Sequence, residues 1–321
     1  MSNPLTPLAV IESVASSSPL KARLHATDYP PTVRVALLRQ ADARTDLSKA
    51  GHDFTSGSND GTIPTLTNNG GAIASGVPVQ LLFWGSVWNL ASTSPSAGEI
   101  ATAVQSILAG PFMSGLVQYG IDRSPFRGAL VVTLPAPPFQ PHTFSDSDVE
   151  GMVGTLIDDG VFPEPDEDGG RIMYVVIMPP GTQYEGDPAV GGAHWYFSSG
   201  SVVDVDHAWY AWVGNHDIDS MTKVFGHELV EMCTDPEGDG WTVDGQPDGL
   251  NEIGDICNKS FNPLNGVLLE NYWSQVDAAC ILPTAYSLKR FMRSKGFDLG
   301  KGVRPHVPPN GSVRAVMGIK S

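Results

Sequence analysis

Residues 226–236 read Gly-His-Glu-Leu-Val-Glu-Met-Cys-Thr-Asp-Pro. His227 and Glu231 stand four residues apart, and Glu228 follows His227 directly. On a helix turning about 100° per residue, Glu231 projects about 40° from His227, so both side chains reach toward one point. Two donors so placed can share a metal ion. The acid next to the first donor reaches a water on that ion instead, and serves as its general base. This is the logic of an H-E-x-x-H zinc hydrolase with a glutamate in the second histidine's place. The exchange takes the charge of a three-ligand zinc site from about +1 to about zero, so its water is acidified less. Activity then shifts to higher pH or weakens. The extra oxygen donor also moves preference toward Mn²⁺ or Ca²⁺.

The motif must sit on a helix to work, and its surroundings predict one over 221–234. Asp219 or Ser220 is its expected cap, and Pro236 stops it. Met221, Phe225, Leu229 and Met232 fall on the face opposite His227 and can pack into a core. The polar arc carries Glu228, Glu231 and Asp235, with Lys223 as the one basic neighbour. Three acids against one lysine favour a bound cation.

Residues 249–257 read GLNEIGDIC, which puts Glu252 25 positions after His227 and 21 after Glu231. The two stretches together resemble the thermolysin-like gluzincins, in which H-E-L-x-H-x-x-T-D is followed by N-E-x-x-S-D. Thr234-Asp235 and Asn251-Glu252 match. The resemblance implies Glu252 as the third ligand and Asp255 as the carboxylate that orients His227. Glu252 to Asp255 is one residue shorter than in that family, which leaves Asp255 or Asp235 open as the third ligand. The acidic loop 235–255 offers a second kind of site. Its start imitates an EF-hand, but its twelfth position is Gln246, so it is read as a loop that a Ca²⁺ ion can rigidify. His194, after Gly191-Gly192-Ala193, is a further candidate. It can supply a proton or a hydrogen bond to an oxyanion, or act as a ligand.

The rest of the chain reads as the frame for that helix. Strands are expected at 77–84 (VPVQLLFW), 129–134, 172–178 (IMYVVIM), 194–197, 207–213 and 267–273, with helices over 96–108 and 145–157. Strands and helices interleave, so an α/β or α+β core with a mixed sheet is expected. Residues 1–62, rich in Ser, Ala, Asp and Pro, read as a weakly ordered arm or pro-segment. Residues 63–285 form the main domain. Residues 286–321 are a basic tail with eight Lys or Arg and one acid, whereas the preceding 285 residues hold 11 basic and 34 acidic side chains. The net charge of −16 excludes general nucleic-acid binding. The basic tail suits docking to an acidic partner or an envelope. Three cysteines are too few for a disulfide scaffold, and a single Cys257–Cys280 bridge is expected if the protein is exported. Cys233 points away from His227 and reads as a structural thiol. No apolar run is long enough to span a membrane. No secretion signal is visible, so the expected location is the cytoplasm or, by a leaderless route, the exterior.

A wider set of segments resembles the phosphate-induced/exordium-like family in its microbial branch. They are 77–88 (VPVQLLFWGSVW), 191–194 (GGAH), 210–215 (YAWVGN), HELVEMCTDP with Gly240-Trp241, NEIGDIC, and Tyr272-Trp273-Ser274 with Cys280. The resemblance implies a zincin-like domain with its active-site helix at about 220–234, a zinc-dependent hydrolase acting on protein or peptide, and an extracellular location. The alternative from another class is a non-catalytic secreted or envelope-binding protein on the same scaffold, held by Ca²⁺ or by no ion. Trp195, Trp209, Trp212, Trp241 and Trp273 then line a glycan groove or, more simply, fill a core.

Overall fold

A computed structural model of the chain describes residues 8–11, 33–36, 64–133, 143–165, 171–199, 206–214, 217–244, 251–257 and 260–283. The basic tail and residues 245–250 of the acidic loop, with Gln246, lie outside the described residues.

In chain order the first elements are β1 (Leu8–Ile11), β2 (Val33–Ala36), β3 (Leu66–Asn68), β4 (Val79–Trp84), α1 (Ala97–Ala109) and β5 (Phe126–Val132). Next come β6 (Thr143–Phe144), α2 (Asp146–Asp158), β7 (Met173–Ile177), β8 (Gln183–Tyr184), β9 (Gly192–Ser199), β10 (Asp206–Val213) and α3 (Ile218–Thr234). The chain closes with β11 (Trp241–Val243), β12 (Phe261–Leu264), β13 (Val267–Glu270), β14 (Tyr272–Ser274) and β15 (Ala279–Ile281).

Seven strands form one mixed sheet in the order β2-β1-β5-β4-β7-β10-β9. Neighbours from β1 to β10 run parallel, and antiparallel β2 and β9 close the two edges. The segment read as an arm therefore contributes two strands to one edge. The central strands are largely apolar because helices cover both faces, and β4 carries one buried polar side chain, Gln80. Val79, Leu81 and Phe83 pack with Ile100 and Val104 of α1 and with Phe225 and Leu229 of α3. Leu82 and Trp84 of the same strand point the other way, into Val149, Met152 and Val153 of α2. Capping boxes start α1 (Ser96 with Glu99) and α2 (Ser145 with Asp148).

Helix α3 begins earlier than its expected cap. Asp217 is extended and accepts a hydrogen bond from Ser220 N–H at 3.0 Å, so it takes the capping role read onto Asp219 or Ser220. The expected strand 267–273 divides in two. β13 pairs with β12 and β14 with β15, and buried Asn271 between them donates its backbone N–H to the Ser260 carbonyl. Cys257 and Cys280 are bonded, with Cα atoms 5.6 Å apart. Cys233 is buried beside Ser124, and burial pushes its thiol up to about 12, so it is no nucleophile at neutral pH. Among the described residues, no single helix is long and apolar enough to cross a membrane.

Candidate metal centre

Four segments meet at one end of α3. The sheet-edge strand β9 supplies His194, α3 supplies His227, Glu228 and Glu231, the turn 251–257 supplies Glu252 and Asp255, and β13 supplies Glu270. Hydrophobic packing brings them together. The apolar side of α3 enters the core beside Leu269, and the Cys257–Cys280 bond ties the turn that carries Asp255 to β15. Gly254 is required in that turn. A Cβ there would stand 2.7 Å from Glu231 Oε1 and 2.8 Å from His227 Nδ1, so a side chain would push the turn off the helix.

His227 Nε2 lies 3.1 Å from Glu231 Oε2 and 3.8 Å from Asp255 Oδ1. Donors about 2.1 Å from a tetrahedrally bound ion stand about 3.4 Å from each other, so these three atoms are spaced as ligands of one ion. The opposite ring nitrogen, Nδ1, is buried and lies 3.5 Å from Glu270 Oε2, within ion-pair reach but off hydrogen-bond alignment. A carboxylate behind the ring that fixes which nitrogen faces the ion is the usual support of a metal-binding histidine. Asp255, read from the sequence as the carboxylate that orients His227 or as a ligand, lies on the Nε2 side of the ring, and Glu270 lies on the Nδ1 side. Glu231 Oε1 is held by Asp255 N–H at 3.1 Å.

His194 forms a second centre beside the first. Its Nδ1 lies 3.3 Å from Glu228 Oε2 and 3.8 Å from Glu231 Oε2. Its Nε2 lies 3.4 Å from Glu252 Oε1 and 3.2 Å from the Asp235 carbonyl oxygen. Glu252, the third ligand that the gluzincin resemblance implies for His227, therefore groups with His194 and Glu231. Asp235 turns its carboxylate elsewhere, accepting from Gly240 N–H at 2.6 Å. The other described acids of the 235–255 loop also disperse. Glu237 pairs with His207 and accepts from Trp209, and Asp244 accepts from Thr67.

The chain matches no known family model, no curated protein and no solved structure. The chemistry of the site is therefore read from its own electrostatics.

Glu228, Glu231 and His194 are buried, and Asp255 and Glu252 nearly so. The described Lys and Arg side chains are placed away from them. Lys223 lies over the Phe261 ring, Arg171 over Trp209, Arg127 over Phe162, and Arg123 donates to the Ala109 and Gly110 carbonyls. Burial pushes the Glu231 carboxyl up to about 8 and that of Asp255 up to about 6. Burial opposes charge on His194, but its hydrogen bonds to Glu228 and Glu252 outweigh this and hold it well above 6.5. Burial likewise opposes charge on His227, and Glu231 and Glu270 outweigh it. The pKa shifts favour protons on groups that could also hold a cation.

Glu270 is the participant that sequence reasoning missed. It closes an ordinary strand pattern 43 residues after His227, and no local signal marks it.

Proposed function

We propose that this chain is a metal-dependent hydrolase of peptide bonds on a zincin-like domain, with His227, Glu231 and Asp255 as ligands. The observation that carries this reading is the convergence of His227 Nε2, Glu231 Oε2 and Asp255 Oδ1 at ligand spacing, with Glu270 behind the ring. Zinc is the first choice of ion, and Mn²⁺ the second because two of the three donors are oxygens. Such an ion polarises a carbonyl and makes a bound water acidic. Glu228, one residue from His227 and too far round the helix to join its donor set, takes the proton from the attacking water and returns it to the leaving amine. His194 holds the Glu228 carboxylate in place through Nδ1.

The sheet edge supports a peptide as substrate. Among the described residues β9 pairs only with β10, so its outer backbone groups can receive an extended chain as a further strand. His194 sits on that strand, and the half-exposed Trp195 ring beside it offers an apolar contact. The Cys257–Cys280 bond suits an oxidising compartment, in line with the exordium-like resemblance and an extracellular role.

One observation favours the other reading, a non-catalytic binding protein on the same scaffold. Glu228 Oε2 is engaged by buried His194 Nδ1 at 3.3 Å, which withdraws it from base work. The Glu228→Gln variant separates the two. Peptide hydrolysis by the zinc-loaded protein should fall by about 10²–10⁴, with metal content unchanged. Wild-type protein that binds zinc and cleaves no member of a broad peptide library would establish the binding protein instead.

A further inference from the structure

We infer that the centre holds two divalent cations rather than one, with Glu231 as the carboxylate shared between them; this builds on the metal site proposed above. Among the described residues, two groups of side chains bring their donor atoms within 4.8 Å of one another: His227, Glu231 and Asp255, and His194, Glu231 and Glu252. Each contains one imidazole and two carboxylates, Glu231 is common to both, and no group contains both imidazoles. A single ion therefore serves one histidine and leaves the other.

The position of Glu231 fits a bridge. Its Oε2 lies 3.1 Å from His227 Nε2 and 3.8 Å from His194 Nδ1, between the two rings. Its Oε1 is anchored by Asp255 N–H, which fixes the plane of the carboxylate. The two histidines are also supported alike. Glu270 stands at Nδ1 of His227 and Glu228 at Nδ1 of His194, and the Nε2 atoms face Asp255 and Glu252. Each ring thus has carboxylates at both nitrogens, and His194 Nε2 also meets the Asp235 carbonyl oxygen at 3.2 Å.

Charge argues the same way. Glu228, Glu231, Glu252, Asp255 and Glu270 carry five negative charges when ionised, in a site that is largely buried. Two divalent cations with neutral imidazoles offset four of them, whereas one offsets only two, and buried charge without a partner is costly. A carboxylate can bind two ions at once through its several lone pairs, whereas an imidazole nitrogen has one. This gives a physical reason for glutamate at 231, where a one-ion site accepts histidine. Sites with two ions about 3.5–4 Å apart are an established means of hydrolysis.

The test is a titration of the full chain, stripped with chelator, with Mn²⁺, followed by calorimetry and electron paramagnetic resonance. Two equivalents should bind, and the spectrum at saturation should show coupled spins. Glu252→Gln and Asp255→Asn should each lose one equivalent and keep the other. Saturation at one equivalent, with an uncoupled Mn²⁺ signal throughout, would overturn the two-ion centre and leave the one-ion hydrolase standing. Two equivalents without coupling would overturn the shared Glu231. No binding of Mn²⁺ or Zn²⁺ at micromolar concentration would overturn the hydrolase reading as well.

Discussion

Glu270 Oε2 stands 3.5 Å from His227 Nδ1, on the side of the ring away from Glu231 and Asp255. The contact joins β13 to α3, and in the proposed centre it favours Nε2 as the nitrogen that faces the donor set. Glu270→Gln should therefore weaken metal binding by about 10–100-fold while leaving the fold intact. Competition against a chelator of known affinity measures this, and an unchanged affinity would remove Glu270 from the site.

Gly254→Ala should disturb the centre without touching a donor. The added methyl meets Glu231 and His227 side chains already packed against the turn, and overpacking of this kind costs about 1–3 kcal/mol. At about 2–4 °C per kcal/mol for a domain of this size, thermal unfolding should detect it. Gly151→Ala is the control. It lies within α2 with nothing near its added Cβ, and should be neutral or stabilising by up to about 1 kcal/mol.

Stability of the stripped protein should fall as pH rises from about 5 to 8. Asp255 and Glu231 titrate at about 6 and about 8 in the folded chain, above their ordinary values of 3.8 and 4.5, and His194 and His227 titrate well above 6.5. All four shifts are upward, so the folded state binds more protons than the unfolded chain across this window. Stability is then fully present at low pH and is lost as pH rises through the folded values. A saturating cation takes the place of those protons, so metal should raise the melting temperature more at pH 8 than at pH 5. Melting curves at both pH values, with chelator and with zinc, give the sign directly. A chelated protein that melts higher at pH 8 than at pH 5 would contradict the assignment.

Reduction of Cys257–Cys280 should act on stability and on the site together. A loop of this length contributes about 3 kcal/mol when closed, and here it also secures the turn bearing Asp255. With reductant, the melting temperature and the zinc affinity should both drop. A drop in the first alone would mean that the turn is held by its other contacts.

Much of this arrangement is legible in the sequence because it depends on short-range periodicity. The four-residue step from His227 to Glu231 sets their common face, and the apolar spacing of Phe225 and Leu229 sets the buried one. The run at 172–178 is wholly apolar, and that at 77–84 nearly so apart from Gln80, because both faces of their strands are covered. The ligand sets are less legible, because they depend on how a turn is placed against a helix. Glu252 and Asp255 stand three residues apart, yet one faces His194 and the other His227. His194 meets Glu228 across 34 residues and Glu270 meets His227 across 43, and nothing local records either contact. Asp235 continues the polar arc of α3 in sequence, but the helix ends there and its carboxylate caps the following loop.

The residues of the candidate centre are spread from 194 to 270, across a strand, a helix, a turn and a second strand. This has a consequence in time. During synthesis neither donor set is complete until the turn at 252–255 has emerged, and His227 lacks its support until β13 follows. On the proposed metal site, an ion would be a late guest whose affinity belongs to the finished fold. Its free concentration then governs how long the fold persists, adding about 2.7 kcal/mol at a hundred times the dissociation constant. In metal-poor surroundings the same chain would spend more of its life open to proteases.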